Sequence, residues 1–161
     1  MLITMLFPGG MRLDQFMERA LELALENVKA GGEPFGAVLV KDGEIISEGV
    51  NELHKNFDVT GHAEIIAIRK AQAKLKTNDL SGCTMYASGE PCPMCLSAMY
   101  FANITDVYYC QSVKDAVNVG LTKSKQIYDD LKRENEARKI VKKQLPLQKG
   151  QQNPMKEWDR K

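Results

Sequence analysis

The amino-acid sequence predicts an α/β domain in which helices cover both faces of a single β-sheet. Two observations carry this expectation. Helix-like and strand-like segments follow one another as helix, hairpin, helix, strand, helix, strand, an order that folds most simply into helix layers on one shared sheet. Asp42-Gly43 stands between two apolar runs, and this dipeptide is a strong signal for a tight antiparallel hairpin.

Each element follows from its local pattern. From Arg12 to Gly31, the residues Leu13, Phe16, Met17, Ala20, Leu21, Ala24, Leu25 and Val28 recur at spacings of three and four. They make one apolar stripe on a helix that Gly31-Gly32 closes. Residues 37–40 and 44–48 read as the two hairpin strands, and a loop is expected from Asn51 to Thr60. His62 to Leu75 reads as a second helix with Ile65, Ile66, Ile68, Ala71 and Leu75 inward. Residues 84–87 form a short strand, and Pro93 sits at a first helical position ahead of Met94 to Ala102. Residues 106–110 form another strand. Beyond Gly120 the pattern weakens to a helix from Ser124 to Ala137, a strand from Lys139 to Leu145 and a short helix from Met155 to Lys161.

Composition excludes several classes. The 161 residues suit one domain, at ~100–200 residues per domain, here taken as a single domain over 1–161 with a C-terminal tail at 145–161. A hydrophobic fraction of 43% with 27% charged residues is too apolar for disorder. The net charge of +1 excludes an overall basic coat for nucleic acid, although residues 121–161 hold 12 basic and 6 acidic side chains against 10 and 15 in residues 1–120. The opening MLITMLFPGG lacks a basic start and breaks at Pro8-Gly9-Gly10, so it reads as neither signal peptide nor membrane span. Segment 1–11 is expected to be flexible or extra, with Met11 an alternative start. Four cysteines without a secretory signal imply thiol or metal chemistry in a reducing, cytoplasmic setting.

The informative cluster is His62-Ala63-Glu64 at one helix start and Pro91-Cys92-Pro93-Met94-Cys95 at another. Two thiolates one helical turn apart can grip one ion, and an imidazole from a neighbouring helix supplies a third ligand. Three protein ligands leave the fourth tetrahedral position open, as in catalytic rather than structural zinc sites. Water there loses a proton near pH about 7, and Glu64 is placed to take and return protons. H-x-E followed by P-C-x-x-C is a signature of zinc-dependent deaminases. Cys83 and Cys110, beside or inside strands, read as core thiols rather than as members of a four-cysteine site, and His54 reads as a surface residue.

On these residues the chain resembles the cytidine-deaminase-like superfamily from about Met11 to Gly120. That resemblance implies a three-layer α/β/α fold with a five-stranded mixed sheet. It implies one Zn²⁺ per subunit on His62, Cys92 and Cys95, with Glu64 as proton shuttle and the backbone N–H groups of Ala63 and Cys92 near the reacting atoms. Within the superfamily, the strings Glu33-Pro34-Phe35-Gly36-Ala37-Val38, Glu48-Gly49-Val50-Asn51 and Lys114-Asp115-Ala116 look most like bacterial guanine deaminases. The resemblance places Asn51 against the base edge and Asp115 as a base-reading carboxylate. Guanine presents ring N–H donors beside its amino group, whereas adenine presents an acceptor, so a fixed carboxylate favours guanine. Asp115 has a second reading, as a cap on the following turn. Phe35 either stacks on the base or fills the core. Trp158 either covers the site of a partner subunit, which requires a homodimer, or anchors the tail.

The expected reaction is therefore guanine and water to xanthine and ammonia. A transfer-RNA adenosine deaminase shares the zinc residues and Asn51 and would use the basic C-terminal third on phosphates. Against it, Phe35, Pro93 and VKDAVNVGL at residues 113–121 depart from that group's pattern. Deamination of cytosine or another amino-heterocycle, and a zinc-stabilised inactive homologue, complete the alternatives.

Overall fold

The computed structural model describes residues 13–160; the expectations for segment 1–11 and for the translation start lie outside them. Helix α1 (Leu13–Lys29) precedes the hairpin of β1 (Gly36–Lys41) and β2 (Glu44–Val50). Asp42 and Gly43 both have positive φ, 51° and 76°, the backbone that lets a two-residue turn follow the twist of its strands. A single helical turn, α2 (Leu53–Asn56), interrupts the expected loop. Then come α3 (Ala63–Leu75), β3 (Thr84–Gly89), α4 (Pro93–Phe101) and β4 (Asp106–Gln111).

The strand order is β2-β1-β3-β4. β1 runs antiparallel to β2 and β3, and β3 runs parallel to β4, with α4 as the crossover that a parallel pair requires. The sheet is mixed, as expected, but among the described residues it has four strands rather than five. Residues 139–145 form no strand. Lys139, Lys142 and Lys143 leave Ile140 and Val141 as adjacent rather than alternating apolar positions, so the segment has no face to bury, and Ile140 and Leu145 are exposed.

Helices cover both faces of this sheet. On one, Phe16 and Leu23 of α1 pack with Val38, Val40 and Tyr86. On the other, Ala63, Ala67, Ile68 and Ala71 of α3 and Cys95 and Met99 of α4 pack with Ala37, Leu39 and Met85. Successive residues of β1 thus enter opposite cores, which is why its sequence is a continuous apolar run. Gly49 sets the height of α3, because a Cβ there would collide with the carbonyl oxygen of Ala63. The first turn of α3 can therefore rest directly on β2.

The chain separates into two compact units, Met1–Tyr128 and Asp129–Lys161. In the first, α5 (Val113–Asn118) forms where no helix is expected from apolar periodicity. Ser112 and Asp115 make a reciprocal capping box that starts it. The expected helix from Ser124 to Ala137 is shorter: α6 spans Lys123–Leu131, followed by a 3₁₀ turn at Asn135–Ala137. The Asn135 side chain bonds both the N–H and the C=O of Lys142, offering the backbone an alternative to helix. In the second unit α7 (Pro154–Asp159) matches the expected terminal helix, capped by the Asn153 side chain. No helix among the described residues is long and apolar enough to cross a membrane.

Candidate active site

Two helix starts build the site. His62 and Cys92 are the residues immediately before α3 and α4, both with extended backbone, and neither side chain makes a capping hydrogen bond. Serine, threonine or aspartate in that position would turn back onto the first-turn N–H groups; an imidazole and a thiol here face each other instead. Pro93 opens α4 where a missing N–H costs nothing. Cys95, three residues beyond Cys92 on the same helix, is fully buried.

His62 Nδ1 lies 3.5 Å from Cys92 Sγ and 3.6 Å from Cys95 Sγ. The three ligand atoms lie within 4.8 Å of one another, and among the described residues they form the group suited to a metal ion. Zinc bonds of ~2.3 Å to sulfur and ~2.0–2.1 Å to nitrogen at a tetrahedral angle require an S···N edge of about 3.6 Å. The observed edges match, so these residues fit a zinc ion with Nδ1, not Nε2, as the imidazole donor. Cys83 is buried in the core as expected, but Cys110 is exposed, contrary to the expectation of a core thiol. It lies on β4, a sheet edge exposed along nearly its whole length. Neither cysteine joins the metal group, and His54 is exposed as expected.

The electrostatics suit a cation. The hydrogen bond from the Cys95 side chain, joined by one from His62 and one from the Cys95 backbone, brings the Cys92 thiol down to about 4 against the effect of burial. Its thiolate in turn holds the Cys95 thiol protonated, with burial acting in the same direction. The bond to Cys92 raises His62 against the effect of burial, with Glu64 and Glu33 adding through space. An ion replaces the shared protons of this cluster, since cysteine ligates as thiolate and histidine as the neutral ring.

Glu64 occupies the first turn of α3 at 5% exposure. Burial pushes its carboxyl above the ordinary range, opposed by a hydrogen bond with Cys95. A buried acid whose carboxyl is raised by burial and that touches a metal ligand can act as a general acid or base.

Ala63, the first residue of α3, is fully buried. Asn51 is buried to 1% exposure at the end of β2. Phe35 packs partly buried against the core cluster that contains Cys92 and Cys95, and its ring closes over Gly89, where a Cβ would come within 2.8 Å of it. Asp115 is exposed, and its Oδ2 accepts from the backbone N–H and hydroxyl of Ser112 at 2.8 and 3.0 Å. The capping role weighed for it in the sequence is therefore present. Trp158 is an exposed residue of α7 in the second unit.

Three supporting residues escape sequence reasoning. Tyr128 donates its hydroxyl to the Pro91 carbonyl at 2.6 Å, holding the turn that carries Cys92. Asn27, buried on α1, donates to the carbonyls of Glu33 and Asn51. Glu33 accepts from Asn51 at 3.0 Å. These contacts span 37, 24 and 18 residues of chain, so no local spacing marks them.

Residues 11–111 match the model of the cytidine and deoxycytidylate deaminase zinc-binding region. The guanine deaminase of Bacillus subtilis is 46% identical over 138 residues, covering 85% of this chain and 88% of that protein. Its X-ray structure superimposes with a TM-score of 0.86, covering 93% of this chain and 95% of that one. A tRNA-specific adenosine deaminase of Aquifex aeolicus is 37% identical over 117 residues, 73% of this chain and 76% of that protein.

Proposed function

The chain belongs to the cytidine and deoxycytidylate deaminase family of zinc-dependent hydrolytic deaminases, and from that premise we propose that its substrate is guanine, converted with water to xanthine and ammonia. The observation that carries the choice of base is the likeness to the Bacillus subtilis guanine deaminase over 93% of the chain, in structure as well as sequence.

His62, Cys92 and Cys95 would hold the zinc, which when bound would supply an activated water at neutral pH. Glu64 is the catalytic acid and base. Its carboxylate takes one proton from the attacking water and passes it to the unprotonated ring nitrogen next to C2, then takes the second proton of that oxygen and passes it to the departing amine, so that it ends as it began. Ala63 and Cys92 direct backbone N–H groups toward the reacting atoms, as expected at two helix starts. Asn51 holds an edge of the base, and the Phe35 ring lies along its face. Asp115 reads the ring N–H donors. In a homodimer, the tail at 145–161 would carry Trp158 over the partner's site; the exposed Trp158 side chain is consistent with such a role. Two thiolate ligands favour a reducing compartment, so the enzyme works in the cytoplasm.

A panel of guanine, adenine, cytosine, guanosine, adenosine and transfer RNA assayed for ammonia release tests the substrate. Guanine alone is turned over well; preferential release from adenosine in transfer RNA would replace guanine with the rival reading. Asp115 needs a control, because its removal also breaks the capping box. Ser112→Ala breaks the same box at a cost of about 1 kcal/mol in stability and leaves turnover intact. Asp115→Ala lowers kcat/KM for guanine by roughly 10²-fold. Equal kinetics in the two variants would reduce Asp115 to a cap.

A further inference from the structure

The conformation of the Asn51 amide is dictated by its neighbours. Its Oδ1 accepts from the backbone N–H of Leu53 at 3.1 Å, and its Nδ2 donates to Glu33 Oε2 at 3.0 Å. A backbone N–H can only donate and a carboxylate can only accept, so the oxygen must face Leu53 and the nitrogen must face Glu33. Turning the amide over would set two donors against each other at one end and two acceptors at the other. Asn51 is 1% exposed, where an unmatched polar group is costly. One amide hydrogen and one lone pair of the carbonyl oxygen are thus engaged by the protein, and the second amide hydrogen is left as a donor that a ligand can meet.

We infer that Glu33 is a positioning residue that directs the remaining amide hydrogen of Asn51, as a hydrogen-bond donor, toward the substrate. The inference rests on the proposed contact between Asn51 and the base. It adds that the atom lodged against the Asn51 amide hydrogen is an acceptor of the purine, one of its unprotonated ring nitrogens or its carbonyl oxygen. Asn27 supports the arrangement from below. Its Nδ2 bonds the Glu33 carbonyl at 2.8 Å and the Asn51 carbonyl at 2.9 Å, so α1 fixes the backbone of both partners. Gly32 belongs to the same cluster, since a Cβ there would collide with the Asn27 side chain. The backbone of the two loops is therefore set by Asn27, and the direction of the Asn51 amide by Glu33.

Steady-state kinetics on the zinc-loaded enzyme with guanine separate this role from a structural one. Glu33→Ala removes the acceptor while Asn27 keeps its bonds to the backbone. Its KM rises about tenfold, a coupling ordinary for neighbours in one network, with kcat less affected. Glu33→Gln restores an acceptor and returns KM to within about threefold of the parent. Zinc content and thermal midpoint stay at parental values in both variants, and in an Asn51→Ala background Glu33→Ala has no further effect on KM. An unchanged KM in Glu33→Ala, or a loss that follows zinc content or thermal midpoint, would overturn the positioning role. If Asn51→Ala raises KM and Glu33→Ala does not, this inference alone fails. If Asn51→Ala leaves KM unchanged, the proposed base contact of Asn51 fails first.

Discussion

Glu64→Gln retains one zinc per chain and loses turnover by at least about 10³-fold, the upper part of the range that positioned acid–base groups supply. The substitution keeps the shape of the side chain and removes only its capacity to hold and release a proton. Because Glu64 is buried and its carboxyl is pushed above the ordinary range, burial penalises the charged form, a cost that the neutral amide does not carry. The thermal midpoint therefore stays level or rises, which distinguishes loss of chemistry from loss of fold. Ammonia release and metal analysis on the same preparation check both halves. Activity within tenfold of the parent would remove Glu64 from the proton-transfer role, and loss of zinc would recast it as a structural support.

Metal removal has an equally large expected effect. Dialysis against a chelator abolishes turnover, and added zinc restores it. The fold should survive, because the two core clusters on the sheet are built from aliphatic and aromatic side chains on both faces and a chain of this size needs no metal to hold a core. Circular dichroism of the apoprotein therefore remains native-like, with a lower thermal midpoint that rises with zinc concentration by mass action. Unfolding on chelation would make the ion structural. The pH dependence has a definite sign. Cys92 is already a thiolate near neutrality, but Cys95 holds its proton until an ion displaces it. Binding releases that proton, so affinity falls by about tenfold per unit as pH is lowered, and more steeply once His62 is also protonated. Titration with zinc at several pH values reads the slope; a flat profile would mean that Cys95 is not a ligand.

The sequence was most legible where the relevant physics is local. Asp42-Gly43 specified the hairpin because only a few residues accept two successive positive φ angles. The metal ligands were readable because helix starts have strong signals, and Pro93 fixed the register of Cys92 and Cys95 on α4. The edges of the fold were harder. Residues 139–145 carry β-branched residues without a strand's alternation, and the fifth strand expected there does not form. Cys110 was taken for a core thiol because it lies inside a strand, where a buried thiol is common, yet β4 is exposed at the margin of the sheet. Helix α5 is too short to show a period, although Ser112 and Asp115 stood at capping-box spacing. The Glu33–Asn51 contact was invisible because it depends on how two loops meet after β1 and β2 have paired.

The residues that open α3 and α4 have a consequence for engineering. Aspartate in place of His62, or serine in place of Cys92, would stabilise a helix end by about 1 kcal/mol, and a screen for heat resistance would reward both. Either exchange would dismantle the centre. The protein thus forgoes durability at the two spots where it is cheapest to obtain, and efforts to toughen it belong on the surfaces remote from those termini.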